Sequence, residues 1–187
     1  MNRPEIDFVP FAKMARLRRH VVITEKIDGN NALVHVTDDG KVFAGSRTRW
    51  ITPEDDNFGF ARWVLENTEE LRLLGPGNHF GEWWGAGIRR RYGQIQKWFS
   101  LFNTGRWDST NPPPSCCQIV PVLGMGVYSD SLVESAMNVL AAGGSVAAPG
   151  FEKPEGIVIY HTALGSYLKV TLEGDGVPKG ILRKEDV

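Results

Sequence analysis

The chain has little cysteine, no surplus of either charge and no long apolar run, and each shortage narrows what it can be. Its two cysteines, Cys116 and Cys117, are adjacent and follow a proline run, a spacing that fits neither a disulfide framework nor a zinc site. They are expected to be reduced and structural. No stretch approaches the roughly 20 apolar residues of a membrane span. The opening MNRPEIDFVPFAKMARLRRH has basic residues without the apolar segment of a signal peptide, so a cytoplasmic protein without membrane contact is the expectation. With 21 Lys+Arg against 22 Asp+Glu the net charge is -1. Bulk charge therefore gives no pull on a polyanion, and any nucleic-acid binding must come from local patches.

What is present describes one packed domain. The 187 residues are 42% hydrophobic and 10% aromatic, well outside the regime in which a chain stays disordered. From Val21 the β-branched stretches of VVITEKIDGNNALVHVTDDGKVFAGSRTRW are divided by Asp28-Gly29 and Asp39-Gly40, which predicts strand, turn, strand, turn, strand. Between Pro53 and Gly75, Phe60, Trp63, Val64, Asn67 and Leu71 recur at helical spacing behind the acids Glu54, Asp55 and Asp56, predicting an amphipathic helix. Strands are predicted at His79–Trp84, Lys97–Asn103 and Gln118–Val127. A second helix at Leu132–Ala142 would be capped by Ser131 with Glu134 and stopped by Gly143-Gly144. Strands return at Gly156–His161 and Ser166–Thr171, and a polar tail begins at Glu173. The mixture of hairpins and isolated helices predicts an α+β fold.

Lys26 stands at the end of a predicted strand beside a glycine turn. A lysine amine becomes a nucleophile when it sheds its proton, which burial and neighbouring positive charge favour. Alone, the segment reads as a surface hairpin. Its weight changes with the segments that come after it along the chain: Ser46-Arg47, then HFGEWWG with Glu82, SLFN with Phe102, PEGIVIY with Glu155, and YLKV with Lys169. This order resembles the covalent nucleotidyltransferase superfamily of ATP-dependent ligases and capping enzymes. It is most similar to the phage-type RNA ligases, whose first motif has the form Glu25-Lys26-Ile27-Asp28-Gly29-Asn30-Asn31. The resemblance runs from about Val21 to Val170, and five motifs in order are far more specific than any one.

The resemblance implies a nucleotidyltransferase (ATP-grasp-like ligase) core of antiparallel sheets flanked by helices. It implies a single adenylation domain over 1–187 with no C-terminal accessory or OB domain, since only a short stretch follows Lys169. Lys26 would attack the α-phosphorus of ATP and carry AMP, with Glu155 and Lys169 as its catalytic partners. ATP would be held by Glu25, Lys26, Ile27, Asn31, Arg47, Glu82, Phe102 and Lys169, with Glu82 on the ribose and Phe102 on the adenine. Asp28 and Glu155 would hold Mg²⁺ or Mn²⁺. Each residue also has a plainer reading: Glu82 as a paired carboxylate, Phe102 as core, Glu155 as a turn acid and Asp28 as a turn former. Two positions depart from the family pattern, the single lysine of Tyr167-Leu168-Lys169-Val170-Thr171 and Asn103 where relatives carry aspartate.

The implied activity is ATP-dependent joining of RNA 5′-phosphate and 3′-hydroxyl ends through lysyl-AMP. The implied substrate is RNA, as nicked duplex or single-stranded ends, handled by a monomer in RNA repair, in a host cytoplasm if the gene is phage-like. A DNA nick ligase, a GTP-using capping enzyme and a non-catalytic nucleotide- or RNA-binding module remain alternatives. Two basic clusters, Arg16, Arg18 and Arg19 and then Arg89, Arg90 and Arg91 with Tyr92 and Lys97, are expected to flank the site and grip phosphates.

Overall fold

The structure, a computed structural model, describes residues 7–174, so the tail expected beyond Gly174 lies outside it. Ten strands and three α-helices form two sheets. The strands are β1 (His20–Lys26), β2 (Asn30–Val36), β3 (Val42–Ser46), β4 (Trp50–Ile51), β5 (Gly77–Gly85), β6 (Lys97–Leu101), β7 (Cys117–Ile119), β8 (Val122–Val127), β9 (Gly156–His161) and β10 (Ser166–Thr171). The small sheet has the order β10-β9-β1-β8 and the large sheet β4-β3-β2-β5-β6-β7. The fold is α+β, as the sequence implies. All pairings are antiparallel except that of β6 with β7, which is parallel.

The Asp28-Gly29 turn does not close a hairpin. β1 pairs with β8 and β9, β2 pairs with β3 and β5, and Ile27-Asp28-Gly29 carries the chain from one sheet to the other. The backbones come so close there that a Cβ on Gly29 would lie 2.5 Å from the Trp83 carbonyl oxygen, so no larger residue fits. The strand expected over Gln118–Val127 also divides between sheets, because Pro121 has no N–H to give a ladder. Its carbonyl instead accepts the Glu25 N–H at 2.9 Å. The two crossings thus run side by side, and everything from β2 to β7 is one insertion between the paired neighbours β1 and β8.

The helix expected over 53–75 is shorter and broken into α1 (Phe60–Glu66), α2 (Thr68–Leu71) and a 3₁₀ turn (Arg72–Leu74). The Asp56 carboxylate accepts from the N–H groups of Asn57, Ala61 and Arg62 at 2.6–3.2 Å, so the preceding acids stay outside the helix. At the break, the Asn67 amide donates to the Trp63 carbonyl and the Thr68 hydroxyl to the Val64 carbonyl, side-chain bonds that compete with the helical ladder. α3 (Asp130–Gly143) begins two residues before the expected start, since Ser129, not Ser131, accepts the Leu132 N–H. It ends at Gly144, which has φ 74°.

Three apolar clusters hold these layers together. Ala32, Val34, Phe60, Val64, Leu71, Trp83 and Phe99 fill the space between the large sheet and α1–α2. Val21, Ile23, Ala136, Leu140, Ile157 and Ile159 join α3 to one face of the small sheet. Ile27, Trp84, Tyr92, Val120 and Ala148 pack where the sheets meet. Alternation along each strand leaves one face of each sheet without a helix. These two faces carry the functional side chains.

Candidate active site

Side chains of β1 alternate, so Val21, Ile23 and Glu25 point to α3 while Val22, Thr24 and Lys26 point to the helix-free face. The Lys26 amine ends that row and donates to the Glu155 carboxylate at 2.6 Å, with side-chain exposures of 23% and 19%. The pairing is fixed by register, because Lys26 lies opposite Gly156, the residue after Glu155. Gly156 has φ 150°, and a Cβ there would meet the Val170 carbonyl oxygen at 2.2 Å. Lys169 stands on the same face, opposite Val158, which is itself opposite Thr24. It is exposed and makes no ion pair among the described residues.

Glu25 does not face this cleft. It is 1% exposed; one carboxylate oxygen accepts the Ser145 hydroxyl at 2.6 Å, and the other accepts the N–H groups of Val146 and Ala147 at 2.9 and 2.8 Å. The expectation of a nucleotide ligand is corrected: its side chain fastens the loop after α3 to the back of the lysine strand. The Ile27 side chain is likewise turned inward, 4% exposed within the junction cluster. The side chains of both residues thus pack behind Lys26 and help fix its position.

On the large sheet, Asn31 lies opposite Glu82 and Glu82 opposite Ser100. Arg47 follows β3 directly, extending this row beyond Asn31, and its exposed guanidinium has no ion pair among the described residues. Glu82 reaches back across the crossing, where one carboxylate oxygen accepts the Gly29 N–H at 2.9 Å. Burial pushes its carboxyl up to about 7, against the opposing pull of Lys26 and of the Gly29 N–H. Phe102 is half-buried against the junction cluster, and its N–H bonds the Phe80 carbonyl at 3.0 Å. The structure thus brings Lys26, Glu155 and Glu82 together, with Asn31, Arg47, Phe102 and Lys169 on the faces leading to them.

The raised carboxyl has a measurable consequence. In an unfolded chain Glu82 titrates near its ordinary 4.5, and in the fold near 7, so the folded state holds the extra proton between these values. Its contribution to stability is full below 4.5 and falls as pH rises to about 7. Glu82→Gln keeps an oxygen for the Gly29 N–H but loses the titration. Denaturation midpoints should therefore show the variant gaining on the wild type as pH rises through that window, with a constant difference above it.

Asp28, expected beside a metal ion, has partners of its own in the fold. Its carboxylate pairs with Arg90 at 3.3 Å and Arg89 at 3.5 Å, and its N–H donates to the Tyr92 hydroxyl at 2.7 Å. Arg90 also donates to the Lys153 carbonyl at 3.0 Å. The loop Arg89-Arg90-Arg91-Tyr92 is thus a clasp across the junction, held with positive φ at Arg89, Arg91 and Tyr92. This pairing could not be read from sequence, since 62 positions separate Asp28 from Arg90.

The other basic groups are dispersed. Arg16, Arg18 and Arg19 precede the far end of β1, about 20 Å from Lys26 at strand rise, and do not flank the site. Lys97 lines a separate groove of about 860 Å³ with Trp63 and Cys116, which contains none of the residues expected to bind ATP. Cys116 and Cys117 are free thiols, their sulfurs 3.8 Å apart. Among the described residues no helix is long and apolar enough to cross a membrane, and no group of three or more His, Cys, Asp or Glu could hold a metal ion.

The model of the RNA ligase family matches residues 19–171. Among solved structures, this chain is similar to an RNA ligase of Naegleria gruberi. A single-residue variant with ATP and Mn gives a TM-score of 0.58 at 18% identity, covering 84% of this chain and 50% of that one. A variant with AMP and Mn gives 0.59 at 18%, covering 83% and 50%, and a variant without ligand gives 0.57 at 19%, covering 83% and 50%. The fold is therefore shared, and this chain spans about half the length of those proteins. Among curated proteins, none matches.

Proposed function

Since the chain belongs to the RNA ligase family, we propose that it is an ATP-dependent RNA ligase that uses Lys26 to carry AMP. The observation that carries this reading is the Lys26 amine, hydrogen-bonded to Glu155 at the sheet junction, with Glu82 interacting across the same gap. In the first step the Lys26 nitrogen bonds the α-phosphorus of ATP while the bond to the pyrophosphate oxygen breaks. Pyrophosphate leaves with the electron pair and the amine gives up its proton, for which Glu155 is the acceptor already in contact. A 5′-phosphate oxygen of RNA then attacks the same phosphorus, the P–N bond breaks, and the nitrogen takes a proton back from Glu155 to return the amine. Finally the RNA 3′-hydroxyl attacks the 5′-phosphate, its proton leaves, and AMP departs as the phosphodiester forms.

The surroundings suit these steps. Glu82 accepts from ribose hydroxyls, Phe102 offers a ring for adenine, and Asn31, Arg47 and Lys169 face the path of the phosphates. A divalent ion, Mg²⁺ or Mn²⁺, fits one carboxylate plus phosphates and waters, and Glu155 with its second oxygen is the residue to hold it. Bound there, the ion would draw charge from the leaving pyrophosphate. Asp28 is held by Arg89 and Arg90.

The test is sealing itself. The protein, ATP, Mg²⁺ and RNA with 5′-phosphate and 3′-hydroxyl ends should yield a phosphatase-resistant joined product, with an RNA carrying AMP on its 5′ end as intermediate. Reversible ATP binding with neither product would overturn the assignment in favour of a binding module.

A further inference from the structure

The helix-free face of the large sheet continues beyond the nucleotide site, and its character changes along the way. Phe102 neighbours Phe80, Phe80 lies opposite Leu33, Leu33 opposite Gly45, and Gly45 opposite Trp50. This row crosses four strand spacings, about 19 Å. Beside it Phe43 lies opposite His35, and Trp50 meets both rings edge-on, with centroids at 6.3 Å and 5.8 Å. Phe43, Trp50 and Phe80 are 48%, 56% and 47% exposed on this one face, more apolar ring surface than scattered single residues present. The next row holds Arg47, Asn31 and Glu82.

We propose that this aromatic face, centred on Trp50, Phe43 and Phe80, docks an unpaired stretch of the RNA substrate by base stacking and leads its end toward Lys26. The inference rests on the ligase reading, since it names where and in what form that substrate is held. Two features select unpaired RNA over an apolar protein segment. The face runs without a break into the row of Arg47, Asn31 and Glu82, and the exposed Arg47 guanidinium at its edge, in no ion pair among the described residues, can meet a phosphate. Flat rings on an open sheet need bases whose faces are uncovered, which single strands offer and continuous duplex does not.

The test uses the full chain and a 5′-phosphorylated single-stranded oligoribonucleotide of about 12 nucleotides, within the length range such surfaces cover. Fluorescence anisotropy should show the double variant Trp50→Ala/Phe43→Ala binding at least about tenfold more weakly than wild type. Lysyl-AMP formation from labelled ATP should be unchanged. The variant Trp50→Phe/Phe43→Tyr, which keeps the rings, should retain binding and so separates stacking from damage to the fold. Unchanged affinity in the alanine variant would overturn the proposal, as would an equal loss for a blunt, fully paired RNA duplex. If the wild type forms no lysyl-AMP while the alanine variant still loses single-strand affinity, the ligase reading fails and the docking face stands.

Discussion

Lys26→Ala should reduce covalent labelling from ATP to background, a loss on the order of 10⁴-fold or more, because it removes the amine held by Glu155 at the sheet junction. Lys26→Arg should fail equally. It keeps a cation for Glu155, but a guanidinium does not deprotonate in a protein and cannot attack. The pair of variants separates the nucleophile from its charge, since a merely electrostatic role would be rescued by arginine. Both proteins should remain folded, as Lys26 and Glu155 keep about a fifth of their surface exposed and solvent can take over from the lost partner. RNA supplied with AMP already on its 5′ end should still be sealed by Lys26→Ala, because the last step needs no free amine. Normal labelling of either variant would refute the assignment of Lys26.

Glu25→Ala should destabilise the fold strongly. It removes the acceptor for three donors, the buried Ser145 hydroxyl and the part-buried N–H groups of Val146 and Ala147. Stranding such groups costs roughly 1–3 kcal/mol each, less whatever relaxation recovers. A total of about 3 kcal/mol is the expectation, which for a chain of this size lowers Tm by roughly 6–12 °C. Thermal unfolding followed by circular dichroism reads this directly. A nucleotide ligand would behave differently, since its removal would weaken ATP use and leave Tm unchanged. Glu25→Gln should fall between, as one of its two terminal groups is a donor facing donors.

The contrast between these adjacent residues marks where the sequence was legible. Strand alternation already places Glu25 with Val21 and Ile23 and Lys26 with Val22 and Thr24, so the burial of one and the exposure of the other follow from the period of two. The resemblance groups motif residues by their order along the chain and is blind to which face each takes. The strands β1, β2, β5, β9 and β10 emerge close to their expected bounds because each is a β-rich run ended by turn residues. The sheet to which each belongs did not emerge, since Asp28-Gly29 signals a reversal equally well for a hairpin and a crossing. The pairing of Asp28 with Arg89 and Arg90 depends on chain segments more than 60 positions apart and has no local signature. The aromatic face was hidden for a related reason. Phe43, Trp50 and Phe80 sit on three strands and come to share one face only through the register of the large sheet.

The insertion of β2–β7 between paired strands also sets an order of events. The large sheet is mostly built from strands near one another in sequence, joined at small cost in chain entropy. Its neighbour is not: Lys26 meets Glu155 only across 129 positions. On a chain leaving the ribosome N-terminus first, the nucleophile emerges early and stays without its carboxylate until synthesis has passed β9. The Lys26–Glu155 pair on which the proposed chemistry rests is therefore completed only after β9 has been made.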